Sequence, residues 1–224
     1  LQISERLAQE WSQYIHGTLS LEDNQRLVSL TLEEVETLDH PVLNYARKNR
    51  DTEMLQYLRL LARYLTLANP SMDDWNYPTA EQLTEQKAQQ EKLLTAIPAK
   101  VSSRLEARYQ LLRMRLLFRM KRYMECIEFW QKTVKDTKPS VFRDMSRGFF
   151  AGALFRYGDH QKAALEYAEK LKALGEQTSV KESVRVLGIC KKINKTINQQ
   201  QKIVVYVRLY ELLNTSKKFT DQRM

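Results

Sequence analysis

Residues that interrupt helices are scarce in this sequence, which has only 6 glycines and 5 prolines among 224 residues. Long stretches are left for helices, and their aliphatic residues recur at three and four places rather than two, the spacing of an amphipathic helix. A hydrophobic fraction of 43% suffices for one helical domain with a sizeable core, or for a solenoid of several helix pairs. We predict a single all-α domain over residues 1–224.

Cysteine and histidine are also rare, and neither is arranged as a ligand set. Cys126 and Cys190 lie among apolar neighbours on separate predicted helices, so we interpret them as small buried residues rather than a disulfide or a reactive pair. His16, His40 and His160 are scattered and have no cysteine cluster nearby. The sequence therefore predicts no metal site and no cofactor, and it leaves the compartment undecided.

Long apolar runs and catalytic motifs are missing as well. No stretch of eighteen apolar residues occurs, so no membrane-spanning helix is predicted. There is no glycine-rich phosphate loop, no nucleophile elbow, no metal-ligand spacing and no pair of acids in an apolar setting. These absences argue against an enzyme and favour a protein that acts by offering a surface.

Charge is distributed unevenly along the chain. Residues 1–100 hold 10 Lys and Arg against 15 Asp and Glu, a net charge of −5. Residues 101–224 hold 26 against 12, a net charge of +14. This asymmetry predicts that the basic second half meets something anionic, or that the two halves attract each other or other copies.

The acidic first half has the pattern of a series of helices. Thr31 with Glu34 has the spacing of a capping box and predicts the start of a short helix. Asp51 or Thr52 is expected to cap a longer helix, whose apolar stripe is wide enough for two neighbours. Further helices are predicted over residues 3–16, 41–49 and 79–96, the last being mostly polar in its first half.

One irregular connection, residues 69–78, interrupts these helices. It is bracketed by Pro70 and Pro78 and contains Trp75 and Tyr77. Either these rings pin the loop to the domain, or the loop contacts a ligand. The segment, with the helices before it, also resembles helical bacterial proteins, a likeness that implies no activity.

Between residues 103 and 174 the sequence repeats itself at an offset of 37 residues. Cys126 and Ala163 are small residues where two helices must approach closely, and Trp130 and Tyr167 are large rings four places later that fill the groove beside them. Seven pairs match in class at this offset: Met114 with Ala151, Leu117 with Leu154, Phe118 with Phe155, Arg119 with Arg156, Cys126 with Ala163, Trp130 with Tyr167, and Val134 with Leu171.

This pattern resembles the tetratricopeptide repeat (TPR), in which each unit is a pair of antiparallel helices. The small-and-aromatic signature of the family's second helix is matched by Tyr123, Cys126, Ile127 and Trp130, and then by Ala151, Gly158, Ala163 and Tyr167. The resemblance implies a right-handed α-α superhelix, that is, a TPR-like solenoid. The period of 37 residues is longer than the family's usual value of about 34.

A solenoid of this kind generally needs three or more units, so the flanking helices are expected to complete the stack. After Gly175, a helix is predicted from Ser179 onward, with its apolar residues on one face. Residues 203–213 are predicted to be its helical partner, although the run of Ile and Val there also has strand propensity.

The helix predicted over residues 103–120 carries the clearest functional pattern. At 100° per residue, five arginines in and just after this helix fall within about 60° of one another and form a stripe, whereas Arg113 points to the opposite side. Arginine binds carboxylate and phosphate through a bidentate fork. The stripe consists of Arg104, Arg108, Arg115, Arg119 and Arg122.

The TPR resemblance implies that the first helix of each unit lines a concave face. It therefore implies an open, aromatic and cationic groove, in which glycines Gly148 and Gly152 lie beside phenylalanines and arginines. An acidic protein or peptide segment with a hydrophobic anchor is the expected ligand. The predicted partner-binding residues are Arg108, Arg115, Phe118, Arg119, Phe155 and Arg156.

Three interpretations of the basic surface remain open. The first is a protein-interaction scaffold that binds an acidic segment in the groove. The second is nucleic-acid or anionic-surface binding, which predicts steep salt dependence and many Lys contacts to phosphate. The third is a self-associating module in which acidic half meets basic half. The alternative to a binding groove is that the arginine stripe is a solvated face and that Gly148 and Gly152 only allow close helix contact.

Overall fold

The computed structural model describes residues 3–68 and 78–158, together with residues 162, 163 and 166. Throughout this part of the chain the regular structure is helical, which confirms the predicted all-α class. The described helices are α1 (Ile3–Ile15), α2 (Leu21–Arg26), α3 (Leu32–Thr37), α4 (Pro41–Lys48), α5 (Thr52–Ala68), α6 (Ala80–Ala96), α7 (Ser103–Arg119), α8 (Tyr123–Phe129) and α9 (Val141–Tyr157).

Two short irregular turns accompany these helices. A 3-10 turn, Leu27–Ser29, follows α2, and a π-helical turn, Trp130–Val134, continues α8. The predicted loop residues 69–77, with Trp75 and Tyr77, lie outside the described residues. So do the helices predicted beyond Gly175.

The chain forms two compact units, and their boundary falls between Leu116 and Leu117, inside α7. The first, Ser4–Leu116, is called the N-terminal unit here, and the C-terminal unit begins at Leu117. The boundary lies later in the chain than the change of charge near residue 100.

Local side-chain chemistry fixes where several helices begin. Thr31 Oγ1 accepts a hydrogen bond from the Glu34 N–H at 3.3 Å, and the Glu34 carboxylate accepts one from the Thr31 N–H at 2.9 Å. The predicted capping box is therefore confirmed. Thr79 starts α6 with a second capping box. Asp51 caps α5 by accepting from the Met54 N–H at 3.1 Å, as expected.

The N-terminal unit is built around α5, which packs against α3, α4 and α6. Its apolar stripe is wide enough for these neighbours, and Leu58 and Ala62 are fully buried within it. On α6 only the C-terminal half is covered, through Leu93 and then Ile97, whereas its polar first half is exposed. The polar composition of that half accounts for its exposure.

The C-terminal unit contains the end of α7, then α8, its π-helical turn and α9, with α8 and the turn packed against α9. Ser140 caps α9 by accepting from the Arg143 N–H at 3.1 Å. Gly158 ends α9 with a left-handed backbone, φ 103°.

Other helices end in the left-handed region without a glycine, at His16 (φ 51°), Arg50 (φ 51°) and Lys121 (φ 59°). After α7, the Arg122 N–H donates to the Leu117 carbonyl and the Lys121 N–H donates to the Phe118 carbonyl, both at 3.0 Å. This is the Schellman pattern, which glycine usually completes because a Cβ is strained at positive φ. The tight turn between α7 and α8 therefore contains a strained lysine.

Replacing Lys121 with glycine is expected to raise the free energy of unfolding by about 0.5–1 kcal/mol, because glycine relieves this strain. Urea denaturation measures the change. The matched control is Lys92→Gly, an exposed lysine inside α6, where glycine should instead cost about 1 kcal/mol. A Lys121→Gly variant no more stable than the wild type would contradict this explanation of the turn.

Candidate partner-binding surface

The first arginine of the predicted stripe, Arg104, is engaged by acids of the N-terminal unit. Its guanidinium donates to both carboxylate oxygens of Asp51, at 2.6 Å each, and to Glu53 at 3.0 Å. Asp51 also accepts from the Tyr14 hydroxyl at 2.9 Å, so one carboxylate joins α1, the start of α5 and α7. Arg104 thus has a structural role.

The electrostatics of this junction follow from its hydrogen bonds. The bond from Arg104 is the main reason that the pKa of Asp51 is lowered to about 2. Burial, followed by the hydrogen bond to Asp51, raises the pKa of Tyr14. The carboxylate is therefore held in its charged form across a wide pH range.

Arg108, which the TPR resemblance placed in the groove, lies inside the N-terminal unit. Its guanidinium carbon is 3.9 Å from the centroid of the Trp11 ring, and the residue is only 5% exposed. Burial lowers its pKa, and a side-chain hydrogen bond with Tyr57 partly offsets this. A helical wheel shows which residues share a face, but it does not show that Trp11 covers part of that face.

In the C-terminal unit, Phe118 is the centre of an aromatic cluster. Its ring meets those of Tyr123 and Phe149 edge to face, with centroids 5.6 Å and 5.7 Å away. All three side chains are partly exposed. Because Phe149 comes from α9, this cluster fixes the end of α7 against α9.

The repeat aligns Phe118 with Phe155 as equivalent positions and does not predict which ring Phe118 contacts. The ring that Phe118 contacts is Phe149, which the sequence pattern did not single out. On α9, Phe155 lies about 120° around the helix from Phe149, whereas Arg156, seven residues after Phe149, lies within about 20° of it. Phe149 and Arg156 therefore share one stripe of α9. Phe155, which is half-buried, belongs to another side.

Two predicted arginines of the C-terminal unit, Arg119 and Arg156, differ from Arg104 in their surroundings. Arg119 is partly exposed, and its Nε is buried but finds no acceptor among the described residues. Arg156 is exposed, and neither residue forms an ion pair within the described part of the chain. Arg115 lies in the N-terminal unit and is half-buried. Arg122 is engaged by Glu125, at 2.6 Å.

Phe118, Arg119, Tyr123, Phe149 and Arg156 together are called the aromatic-arginine surface below. Phe118, Arg119 and Arg156 were predicted from the sequence, while Tyr123 was read only as part of the repeat signature and Phe149 was missed.

Behind this surface, Trp130 and Phe150 form the interior of the unit. Their rings stack with centroids 5.3 Å apart and an interplanar angle of 14°. The Arg147 guanidinium carbon lies 5.6 Å from the Trp130 ring centroid, and Arg147 pairs with Glu166 at 3.2 Å. Trp130 is 3% exposed, as expected for a ring that fills a groove between helices.

Among the rare cysteine and histidine residues, Cys126 and His40 have structural roles. Cys126 is fully buried, as predicted, and burial raises the pKa of its thiol to about 12. His40 caps α4, since its Nδ1 accepts from the Val42 N–H at 3.2 Å while its Nε2 donates to the Asp23 carbonyl at 3.0 Å. Cys190 lies outside the described residues. In the described part of the chain, no group of three His, Cys, Asp or Glu is placed to hold a metal ion.

Comparison with known proteins places the chain in no family. No family model, no curated protein and no solved structure matches it. Of the helices that the structure describes, none is both long enough and apolar enough to cross a membrane.

Proposed function

We propose that this chain is a non-enzymatic protein-interaction module, a TPR-like helical repeat protein whose aromatic-arginine surface binds an acidic protein or peptide segment. The phenylalanine cluster supplies an apolar contact for a hydrophobic anchor, and Arg119 and Arg156 receive carboxylates on either side of it. The surface lies entirely within the C-terminal unit.

The observation that carries this proposal is the state of Arg119. Its guanidinium is partly exposed and has no carboxylate partner among the described residues, and its Nε–H finds no acceptor there. A ligand carboxylate at the partly exposed edge of this guanidinium would supply negative charge beside the phenylalanine cluster. Arg104 and Arg122 already have carboxylate partners and gain nothing comparable.

Several pairs of residues that lie 37 places apart are buried to the same degree, which supports the repeat part of the proposal. Met114 and Ala151 are both fully buried, and so are Cys126 and Ala163. Phe118 and Phe155 are both half-buried. In addition, α7 and α9 are each 17 residues long. Equivalent positions with equivalent environments are what a structural repeat requires.

Nucleic-acid binding is the alternative that the net charge of +14 on residues 101–224 favours. Among the described lysines of the C-terminal unit, Lys132 pairs with Glu128 at 3.1 Å, which reduces the charge offered to phosphates. Phosphate binding would also show a steep loss of affinity with salt, because counterions are released from the nucleic acid.

A peptide-display selection on the purified chain tests the proposal. We expect enriched sequences to place Asp or Glu on both sides of a large apolar residue. These should not be retained by Arg119→Glu with Arg156→Glu, whereas Lys135→Glu with Lys138→Glu, an equal change of charge on exposed lysines, should retain them. Enrichment of nothing, or equal retention by both variants, would contradict the proposal. Tight but salt-sensitive binding of a single-stranded oligonucleotide alone would favour the alternative.

A further inference from the structure

A short sequence pattern occurs twice in the N-terminal unit. Ser20-Leu21-Glu22 and Thr31-Leu32-Glu33 begin α2 and α3, and in each the hydroxyl residue is the N-cap. Ser20 Oγ accepts from the Asp23 N–H at 2.9 Å, just as Thr31 accepts from Glu34. Each cap therefore places a leucine and a glutamate in the first turn of a short helix.

The leucines of this pattern face outward, which helix capping does not require. Leu21 is 55% exposed and Leu32 is 41% exposed, and Val28, in the turn between them, is 47% exposed. These three are half of the six large apolar side chains that are exposed in the described residues, yet they lie within 12 residues of sequence. Exposed apolar side chains that are gathered in one place can form an interaction surface.

The same stretch accounts for the excess of acidic over basic residues in the first half of the chain. Residues 20–39 hold six acidic residues and one basic residue, a net charge of −5, which equals the net charge of residues 1–100. Within it, Glu34 pairs with Arg26 and Glu36 pairs with Arg59. Glu22 and Glu33 are exposed and have no cationic partner among the described residues. The segment thus carries unpaired carboxylates next to exposed leucines.

This chemistry matches what the aromatic-arginine surface is proposed to bind. The described residues 117–158 hold nine Lys and Arg against four Asp and Glu, a net charge of +5. They also hold two of the remaining exposed apolar side chains, Met124 and Tyr157. One chain therefore carries two surfaces of opposite charge, each with exposed apolar groups.

We infer that an acidic surface of this chain binds the aromatic-arginine surface of a second copy. The acidic surface consists of Leu21, Glu22, Val28, Leu32 and Glu33. This inference rests on the proposed function, because it assigns the acidic ligand. Contact between two different surfaces is heterologous, so a pair of copies leaves two surfaces unoccupied, the acidic one on one copy and the aromatic-arginine one on the other. Association then continues into short chains or closes into a ring.

Sedimentation velocity on the whole chain, across protein concentrations from about 1 to 100 μM, tests this inference. At a low ionic strength of about 0.05 M, we expect the wild type to associate as its concentration rises. At a high ionic strength of about 0.5 M, we expect it to dissociate. Glu22→Lys with Glu33→Lys should weaken association roughly tenfold or more, since it places like charges opposite each other. The control Glu81→Lys with Glu85→Lys changes the net charge equally on exposed residues of α6 and should have no such effect.

Mixing the two charge-reversal variants provides the decisive comparison. A misfolded variant could lose association, but it could not regain association when the other variant is added. The Glu22→Lys, Glu33→Lys variant keeps a cationic aromatic-arginine surface, and the Arg119→Glu, Arg156→Glu variant keeps the acidic surface. Each should be monomeric alone, while an equimolar mixture should associate. Circular dichroism checks that both variants fold.

Several outcomes would overturn the inference. These are a wild type that stays monomeric throughout, an α6 control that weakens association as much as the acidic-surface variant, or a mixture that stays monomeric. A monomeric wild type that still retains display-selected acidic peptides would contradict this inference but would not contradict the proposed function. Failure of the peptide selection would remove the proposed function itself.

Discussion

Replacing Trp130 with alanine is expected to lower the free energy of unfolding by about 3–5 kcal/mol, the range for a large aromatic residue removed from a packed interior. Trp130 is 3% exposed, stacks on Phe150 and lies beside the Arg147 guanidinium. Alanine would leave a cavity that the surrounding helices can fill only in part. It would also remove the contact with Arg147.

Chemical denaturation followed by circular dichroism measures this loss. Tyr157→Ala is the matched control, because Tyr157 is 60% exposed and its removal should change stability by less than about 0.5 kcal/mol. Trp130→Phe keeps a stacking ring and should lie between the two. If Trp130→Ala cost less than about 1 kcal/mol, the C-terminal unit would not be built around this stack.

Replacing Asp51 with asparagine is expected to cost roughly 2 kcal/mol at neutral pH, because the carboxylate holds Arg104, Tyr14 and the N-terminus of α5 at once. The effect should depend on pH in a defined direction. The pKa of Asp51 is about 2 in the folded chain, below its ordinary value of 3.8. The stabilisation is therefore complete above about pH 4 and is lost as the pH falls through about 2.

Urea denaturation of the wild type and Asp51→Asn between neutral pH and about pH 2 checks this prediction. The difference in stability should be constant near neutrality and should shrink in acid. Asp39→Asn is the matched control, since among the described residues that exposed carboxylate accepts only from the Asn44 side chain, at 2.6 Å. A difference between wild type and Asp51→Asn that stayed the same in acid would show that the charge of Asp51 contributes little.

Features set by neighbouring residues could be predicted from the sequence. The Thr31 capping box and the Asp51 cap depend on side chains three residues from their targets, so their spacing is enough to identify them. The helix α2 was missed because its six residues are too few to show a hydrophobic period. The turn at Lys121 was missed because the usual signal for such a turn is glycine.

The residues of the candidate surface could be predicted only in part, because the surface depends on contacts between residues that are distant in the sequence. Four arginines of the predicted stripe, Arg104, Arg108, Arg115 and Arg119, lie on α7, whereas Arg122 follows the left-handed turn at Lys121 and lies outside that helix. The four meet different surroundings along the helix. Trp11 and Asp51, from other helices, engage Arg108 and Arg104. Phe149 could not be singled out, because the repeat aligns Phe118 with Phe155 and says nothing about which ring α9 turns toward it.

The claim that Arg119 and Arg156 bind acidic segments is tested most directly by one titration. A fluorescent acidic peptide with a leucine or phenylalanine anchor, taken from the display selection, is titrated with the wild type and with Arg119→Glu plus Arg156→Glu by fluorescence polarisation. Our account predicts saturable binding to the wild type and a loss of affinity of roughly tenfold or more in the variant. Unchanged affinity in a folded variant would contradict it.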